Sequence, residues 1–377
     1  MRTHPDVLVI GGGVIGLTTA YFLARDGASV TVLDRSAPGS EASWAGAGII
    51  PPGNPERAAT PYDRLRAVSS RAFPDLSAEL RERTGIDNGY RVCGGIEVFE
   101  HPAPHVMRLW QTEGIEFVSF DEARLRQMEP ALRLTAPEVY LLPGMAQVRN
   151  PRHLKALVTA CEQAGVRIEA NVPVVRLRTA ENRVTAAVTE TGAERSADRI
   201  LVASGAWSER LLSQLGLCTG ISPVRGQMAL FHPPAPLLTC VVCVEKRYLV
   251  PRDDGRILVG STEEPEAGFE KRTTDPGIAQ LTEFAIRLVP ALADVPVEKT
   301  WAGLRPGSPD GMPFLGPIPG WQNAFVAAGH FRAGIQLSPA TGRIMADLIL
   351  GRLPDTPVDA FRADRVPGPL VATAFRS

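Results

Sequence analysis

The run Val7-Leu-Val-Ile-Gly-Gly-Gly-Val-Ile-Gly16, followed by an apolar stretch and then by Ser29-Val-Thr-Val-Leu-Asp34, constrains the fold more than any other feature of this chain. It reads as a short buried strand, a glycine turn, a helix and a second strand ending in an acid. Each glycine has its own task. Gly11 turns the backbone off the strand, Gly13 leaves room where a pyrophosphate must approach, and Gly16 lets the helix lie close on the sheet. Val14 and Ile15 open that helix, whose unpaired N–H groups and positive dipole end face the phosphates. Asp34 stands where a carboxylate accepts hydrogen bonds from a ribose diol, and Arg35 beside it is assigned to the same site. The segment therefore predicts a site for the ADP half of a dinucleotide. The uncharged stretch from Val7 to Ala24 also has the look of a signal peptide or membrane span. Three consecutive glycines in its middle, and Asp6 in place of a positive cluster, argue against both, so a cytoplasmic protein is expected.

At 377 residues the chain has room for two domains. Its 40 basic and 41 acidic residues nearly cancel and form no long run, which speaks against a nucleic-acid groove or an anionic membrane surface as partner. No second G-x-G-x-x-G occurs, so no separate nicotinamide domain is expected. The five cysteines lack disulfide-framework spacing, and Cys240-Val-Val-Cys243 stands alone in a strand-like stretch. The histidines are dispersed without ligand spacing. No metal site is expected.

Along the chain, Thr60 to Gly85 reads as helical with a break or kink at Pro74. Residues 94–99 turn strand-like. A helix is predicted from Asn150 to Cys161, with Asn150 as cap, Pro151 in the first turn and Gly165 as stop. Strands follow at 166–169, 174–178, 184–188 and 200–203, the last running into Ser204-Gly-Ala-Trp207, where backbone can pass close to a cofactor. Strands dominate again from Val224 to about Lys299. A final helix is expected over 339–350, capped by Ser338. This pattern predicts an α/β and α+β chain: a Rossmann-like dinucleotide-binding domain, which the resemblance given below makes an FAD-binding one, from 1–85, 145–220 and 300–365, interleaved with a second, antiparallel-sheet domain, by the same resemblance the substrate domain, from 86–144 and 221–299, and a C-terminal tail over 366–377.

Over nearly its whole length the chain resembles the D-amino-acid oxidase superfamily of FAD enzymes, and within it the glycine oxidase branch associated with thiamin biosynthesis. The resemblance rests on Val9-Ile-Gly-Gly-Gly-Val-Ile-Gly16, Ala45-Gly-Ala-Gly48, Leu201-Val-Ala-Ser-Gly-Ala-Trp-Ser208, Tyr248-Leu-Val-Pro-Arg252, Val259-Gly-Ser-Thr262, Trp301-Ala-Gly-Leu-Arg-Pro-Gly307, Asp310-Gly-Met-Pro-Phe-Leu-Gly316 and Gly329-His-Phe-Arg-Ala-Gly-Ile335. It implies FAD held by Ser43, Ala45, Gly46, Ala47, Gly48, Val174, Ser204, Gly205 and Trp207 together with the glycine turn, Asp34 and Arg35. The loop His330, Phe331, Arg332, Ala333, Gly334, Ile335 would place N–H groups and a helix end near the flavin, a field that favours the anionic reduced form. Residues 300–340 contain no cysteine, so attachment should be non-covalent.

The resemblance further implies that Arg305 clamps the substrate carboxylate with its planar fork while Tyr248 donates its phenol to the same group. At Arg332 the main-chain carbonyl, rather than the guanidinium, would face the amine. Hydride transfer from Cα–H to the flavin would then give an imino acid, with oxygen returning the flavin to its oxidised form and releasing hydrogen peroxide. Two positions depart from the branch pattern: Ile49 and Glu263 each stand where a methionine is expected near the substrate pocket. Glycine, sarcosine, D-alanine and D-proline are the candidate substrates, and a homo-oligomer, a tetramer by resemblance, is the expected assembly. The alternatives are a D-amino-acid dehydrogenase with a non-oxygen acceptor and a flavin-binding redox module without turnover.

Overall fold

A computed structural model describes residues 4–134, 136, 138–370 and 373–375 of the chain. Its first strand, β1 (Val7–Ile10), is buried at every residue, as a continuous apolar run must be when both faces of a sheet are covered. β1 lies between β2 (Val30–Leu33) and Arg199–Val202, parallel to both. Arg167–Glu169 extends the sheet beyond β2, Ala324–Ala328 beyond Arg199–Val202, and Phe314–Pro317 closes that edge antiparallel, making six strands. The chain passes from β1 to β2 on one side and returns much later to Arg199–Val202 on the other, so the carboxyl end of β1 is a topological switch point.

Helix α1 (Val14–Arg25) leaves the glycine turn and is buried from Val14 to Leu23. Gly11 sits at φ 114°, a conformation that a side chain resists. A Cβ on Gly16 would collide with the Gly11 carbonyl, whereas one on Gly13 would meet only Ser43 Oγ, at 3.3 Å. Gly16 thus serves the packing of helix on turn, and Gly13 keeps the cavity side open. The helices Pro61–Thr84, Asn150–Gln163 and Gly334–Ile349 share one apolar core with α1 on one face of the sheet. A three-stranded sheet, Val174–Ala180, Arg183–Thr189 and Glu194–Arg195, packs Leu177, Val184 and Ala187 on the other face.

The second large sheet has eight strands in the spatial order Val297–Gly307, Ser222–Phe231, Ile257–Gly260, Arg247–Pro251, Val241–Val244, Gly95–Phe99, Glu138–Leu142, Val118–Ser119. One face, including Ala229, Leu249 and Val259, packs on Leu281, Phe284 and Leu288 of the helix Asp275–Leu288. The alternate residues Met228 and Tyr248 point the other way, as the two-residue period of a strand requires.

Several local expectations are corrected. The helix Pro61–Thr84 is continuous, with Pro74 inside it. Asn150 is the first helical residue, and its side-chain amide goes to the Ser43 carbonyl at 2.8 Å instead of capping the helix. The last helix starts at Gly334, five residues before Pro339. It tolerates Pro339 because Ser338 Oγ donates to the Ile335 carbonyl at 2.9 Å, the acceptor that the missing proline N–H would leave empty. Within the second sheet the pair Val241–Val244 and Gly95–Phe99 is parallel. Its longest strand runs 297–307, so a division at 300 falls inside a strand.

These contacts separate two glycine roles by experiment. Gly13→Val should fold with a melting temperature close to that of wild type stripped of its dinucleotide and purify without dinucleotide, because only the cavity side is filled. Gly16→Ala should lose both cofactor and several degrees of thermal stability. Equal behaviour of the two variants in absorbance and thermal melts would contradict this division.

Candidate active site

A cavity of about 640 Å³ lies between the two large sheets, with Asp34 at one end and Arg305 and Tyr248 at the other. At the first end the two Asp34 oxygens accept from the Gly12 N–H at 2.7 Å and the Ser36 N–H at 2.8 Å. Burial raises the Asp34 pKa from its ordinary value, and these hydrogen bonds oppose that rise. Arg35 stacks 4.3 Å from the centre of the Trp207 ring. Val174, Ser204 and Gly205 line the same stretch.

In the middle, Gly11, Gly13, Val14 and Ile15 face residues 43–48. Ser43 Oγ accepts from the Val14 N–H at 3.0 Å. The 43–48 segment is then held by its carbonyls. Asn150 donates to Ser43, Trp301 Nε1 to Ala45 at 3.1 Å, and Arg252 to Ala47 at 2.7 Å. Arg252 also reaches Gln147 Oε1 at 2.9 Å, and burial pulls its pKa down to about 10. Gly48, at φ 74°, would drive a Cβ into the Val148 carbonyl.

At the far end the strand register assembles the site. Tyr248 pairs with Gly260 and with Cys243, Cys243 with Glu97, and Gly260 with Met228, so residues from five adjacent strands form one row facing the cavity. A Cβ on Gly260 would come within 2.6 Å of the Tyr248 ring, and one on Gly226 would overlap the Arg305 guanidinium. Both glycines make space for the side chains that matter. Arg305 donates to Ser261 Oγ at 2.6 Å and to the Thr262 carbonyl at 3.2 Å. Burial lowers its pKa, while Tyr248 and Glu263 act in the opposite sense. Arginine remains a cation even so.

The loop before the last helix completes the wall. His330 is buried, shares a 3.2 Å hydrogen bond with Thr341 Oγ1, and is kept neutral by burial, which takes its pKa to about 3. Phe331 adopts φ 46° and donates its N–H to the Pro306 carbonyl at 3.0 Å. The Arg332 guanidinium donates to Glu263 at 3.0 Å and to the Lys246 carbonyl at 2.8 Å. Glu263 in turn holds Lys246 at 3.1 Å. Burial works to raise the Glu263 pKa, but its two cationic partners outweigh it and the net shift is downward.

Of the residues singled out from sequence, all but three line this cavity. Gly16 lies behind the turn, Ala333 is buried just before the helix, and Glu263 stands behind Arg332 as its counter-ion rather than on the pocket wall. Ile49 does line the cavity, on a short strand paired with Ala146–Gln147. Sequence reading missed Glu97, Met228, Cys243, Gly226, Arg252 and Phe375. Cys243 and Met228 follow from Tyr248 only once the register is known. The CxxC cysteines are free thiols, with Cys240 pushed up to about 12 by burial, and among the described residues no group of three potential ligands could hold a metal ion.

Glu97 gives a pH test. Burial, with Glu245 nearby, raises its carboxyl pKa from the ordinary 4.5 to about 8. The folded state therefore keeps the proton that the unfolded chain releases near 4.5, so this carboxyl's full contribution to stability is present below that pH and is lost as pH rises towards 8. Glu97→Gln should melt like wild type near pH 4.5 and gain about 1–3 kcal/mol over it by pH 8.5. A stability gap that stays flat across this range would refute the assignment.

Comparisons with known proteins agree with this geometry. Residues 6–348 match the family described as FAD dependent oxidoreductase. A glycine oxidase of Pseudomonas aeruginosa is 37% identical, with 92% of this chain and 95% of that protein aligned. A bifunctional ThiO/ThiG protein of Synechocystis is 36% identical over 97% of this chain, which spans 54% of that longer protein. The crystal structure of glycine oxidase from Geobacillus kaustophilus superposes with a TM-score of 0.91 at 33% identity, covering 97% of this chain and all of that one. A cradle whose Gly13 side is open, bordered by Asp34, Arg35 and Trp207, fits FAD. The chain belongs to the FAD-dependent oxidoreductase family, with FAD as its cofactor, and is an amine or amino-acid oxidase.

Proposed function

We propose that this enzyme oxidises glycine and other small amino acids, such as sarcosine, D-alanine and D-proline, with molecular oxygen as acceptor. The products are an imino acid, which hydrolyses to glyoxylate or another 2-oxo acid and ammonia or an amine, and hydrogen peroxide. One observation carries this reading. Arg305 is an enclosed cation whose hydrogen-bond partners, Ser261 Oγ and the Thr262 carbonyl, are both neutral. A half-buried cation whose partners are neutral is best balanced by an opposite charge, and a substrate carboxylate entering beside Tyr248 supplies it. Two parallel N–H···O bonds then fix the substrate in one orientation.

Bound FAD supplies the two-electron acceptor. The chain itself contributes position and field. Arg305 and Tyr248 hold the carboxylate at the eight-stranded sheet. Ile49, Met228 and Phe331 present apolar surface around the rest of a small substrate and keep water from it. The nearby guanidinium groups disfavour an ammonium ion, so the amine sheds its proton to solvent before reaction. The Gly334–Ile349 helix directs its N-terminus at the cavity and favours negative charge there. Likeness to the ThiO/ThiG protein supports a role in thiamin biosynthesis, and the absence of cysteine over 300–340 supports non-covalent FAD. Among the described residues no helix is long and apolar enough to cross a membrane.

Heat-denatured enzyme should release intact FAD. Air-saturated enzyme should produce peroxide with glycine, sarcosine and D-alanine, and scarcely with D-phenylalanine. Flavin reduction by these substrates without peroxide under air would favour a dehydrogenase. Arg305→Lys should raise the apparent KM more than tenfold, Arg305→Ala further, with FAD content unchanged. Wild-type kinetics in Arg305→Ala would place the carboxylate elsewhere.

A further inference from the structure

The segment assigned to a C-terminal tail reaches the active site. Phe375 is only 5% exposed and lines the same cavity as Ile49, Pro51, Met228 and Tyr248. It belongs to the apolar cluster that contains Met228 and Trp110 and against which Ile49, Tyr248 and Trp301 pack, which places it at the substrate end. The backbone of the preceding residue, Ala374, is held at both its polar groups. The Ala374 N–H is donated to Asp63 Oδ1 at 3.0 Å, and the Ala374 carbonyl accepts from Trp110 Nε1 at 2.6 Å. The Phe375 ring lies 5.7 Å from the Trp110 ring and 4.8 Å from the Arg66 guanidinium.

Arg66 is a buried hub. It donates to both oxygens of Glu113, at 2.6 and 2.5 Å, to Asp63 at 3.3 Å, and to the Pro52 carbonyl at 2.5 Å. Glu113 also accepts from the Asn54 N–H at 2.9 Å. All three charged side chains are at most 1% exposed. One ion cluster therefore pins two parts of the cavity wall, the loop that follows Ile49 and the segment that carries Phe375. A buried cluster of this kind is costly unless its geometry is kept, so it fixes both parts in one place.

We propose that Phe375 is a specificity-determining residue: supported by Arg66, Asp63 and Trp110, its ring closes the apolar side of the substrate cavity and excludes amino acids with a bulky apolar group on Cα or nitrogen. This rests on the oxidase reading above. Removing the ring frees space bounded by Ile49, Pro51 and Met228, which suits an apolar substituent. A hydrophobic pocket discriminates by about tenfold or more per methylene.

The test compares holoenzyme wild type, Phe375→Ala and Phe375→Leu, each checked for FAD content and melting temperature. Phe375→Ala should raise kcat/KM for D-leucine and D-phenylalanine relative to glycine at least tenfold, with Phe375→Leu between it and wild type. Acrylamide quenching of flavin fluorescence, which needs no turnover, should increase in the same order. If both variants keep the wild-type substrate ratio and the wild-type quenching, the inference is overturned. If Phe375→Ala does not retain FAD, Phe375→Leu decides by the same two readouts. If wild type oxidises none of the small amines, the functional reading fails, and the quenching order alone decides whether Phe375 closes the cavity.

Discussion

The backbone of residues 43–48 lines a cavity between two sheets that never share a hydrogen-bonded edge, and the site depends on how that backbone is satisfied. A loop of small residues can lie close to a dinucleotide, but its carbonyls must not be buried unpaired. Asn150, Trp301 and Arg252 supply the donors, each from a different part of the chain. Two of them, Trp301 and Arg252, come from strands of the eight-stranded sheet or their ends. The same hydrogen bonds that satisfy the loop therefore dock one sheet on the other and set the width of the cavity.

A division of labour follows. The six-stranded sheet provides a glycine turn, the start of a helix and an acid at the next strand end, a site for any adenine dinucleotide. The eight-stranded sheet provides Arg305 and Tyr248, with Gly226 and Gly260 as the empty positions that admit them. Charge is placed with economy. Arg332 is paired with Glu263, whereas the hydrogen-bond partners of Arg305 are neutral groups beside the cavity. Two guanidinium groups in one pocket thus differ in what they ask of a ligand. The Arg66 cluster holds a further part of the wall, so the cavity is bounded by elements from the beginning, middle and end of the sequence.

How much was readable beforehand follows the range of the interactions. The strand, turn and helix at residues 7–25 are encoded by neighbours within a few positions, and so were visible. Helix starts are less legible, because proline near a helix beginning is ambiguous. Pro339 suits a first turn, yet here it sits inside a helix that Ser338 repairs. Asn150 has the chemistry of a cap, and only the arrival of residues 43–48 gives its amide a better acceptor. Glu263 illustrates the same limit, since a carboxylate in a loop can line a pocket or neutralise a neighbour, and the position of Arg332 decides between them.

The sequence by itself determined the dinucleotide turn and the family resemblance, since both rest on short contiguous patterns. Tertiary structure alone decided that Glu97, Cys243 and Met228 stand in a row with Tyr248, because cross-strand register is a pairing of distant segments. It also brought Ala374 to Asp63 and Phe375 to Arg66. No local pattern encodes those meetings. They are chosen by the collective burial of apolar surface and by the need of each buried polar group for a partner, conditions that exist only once the whole chain is packed.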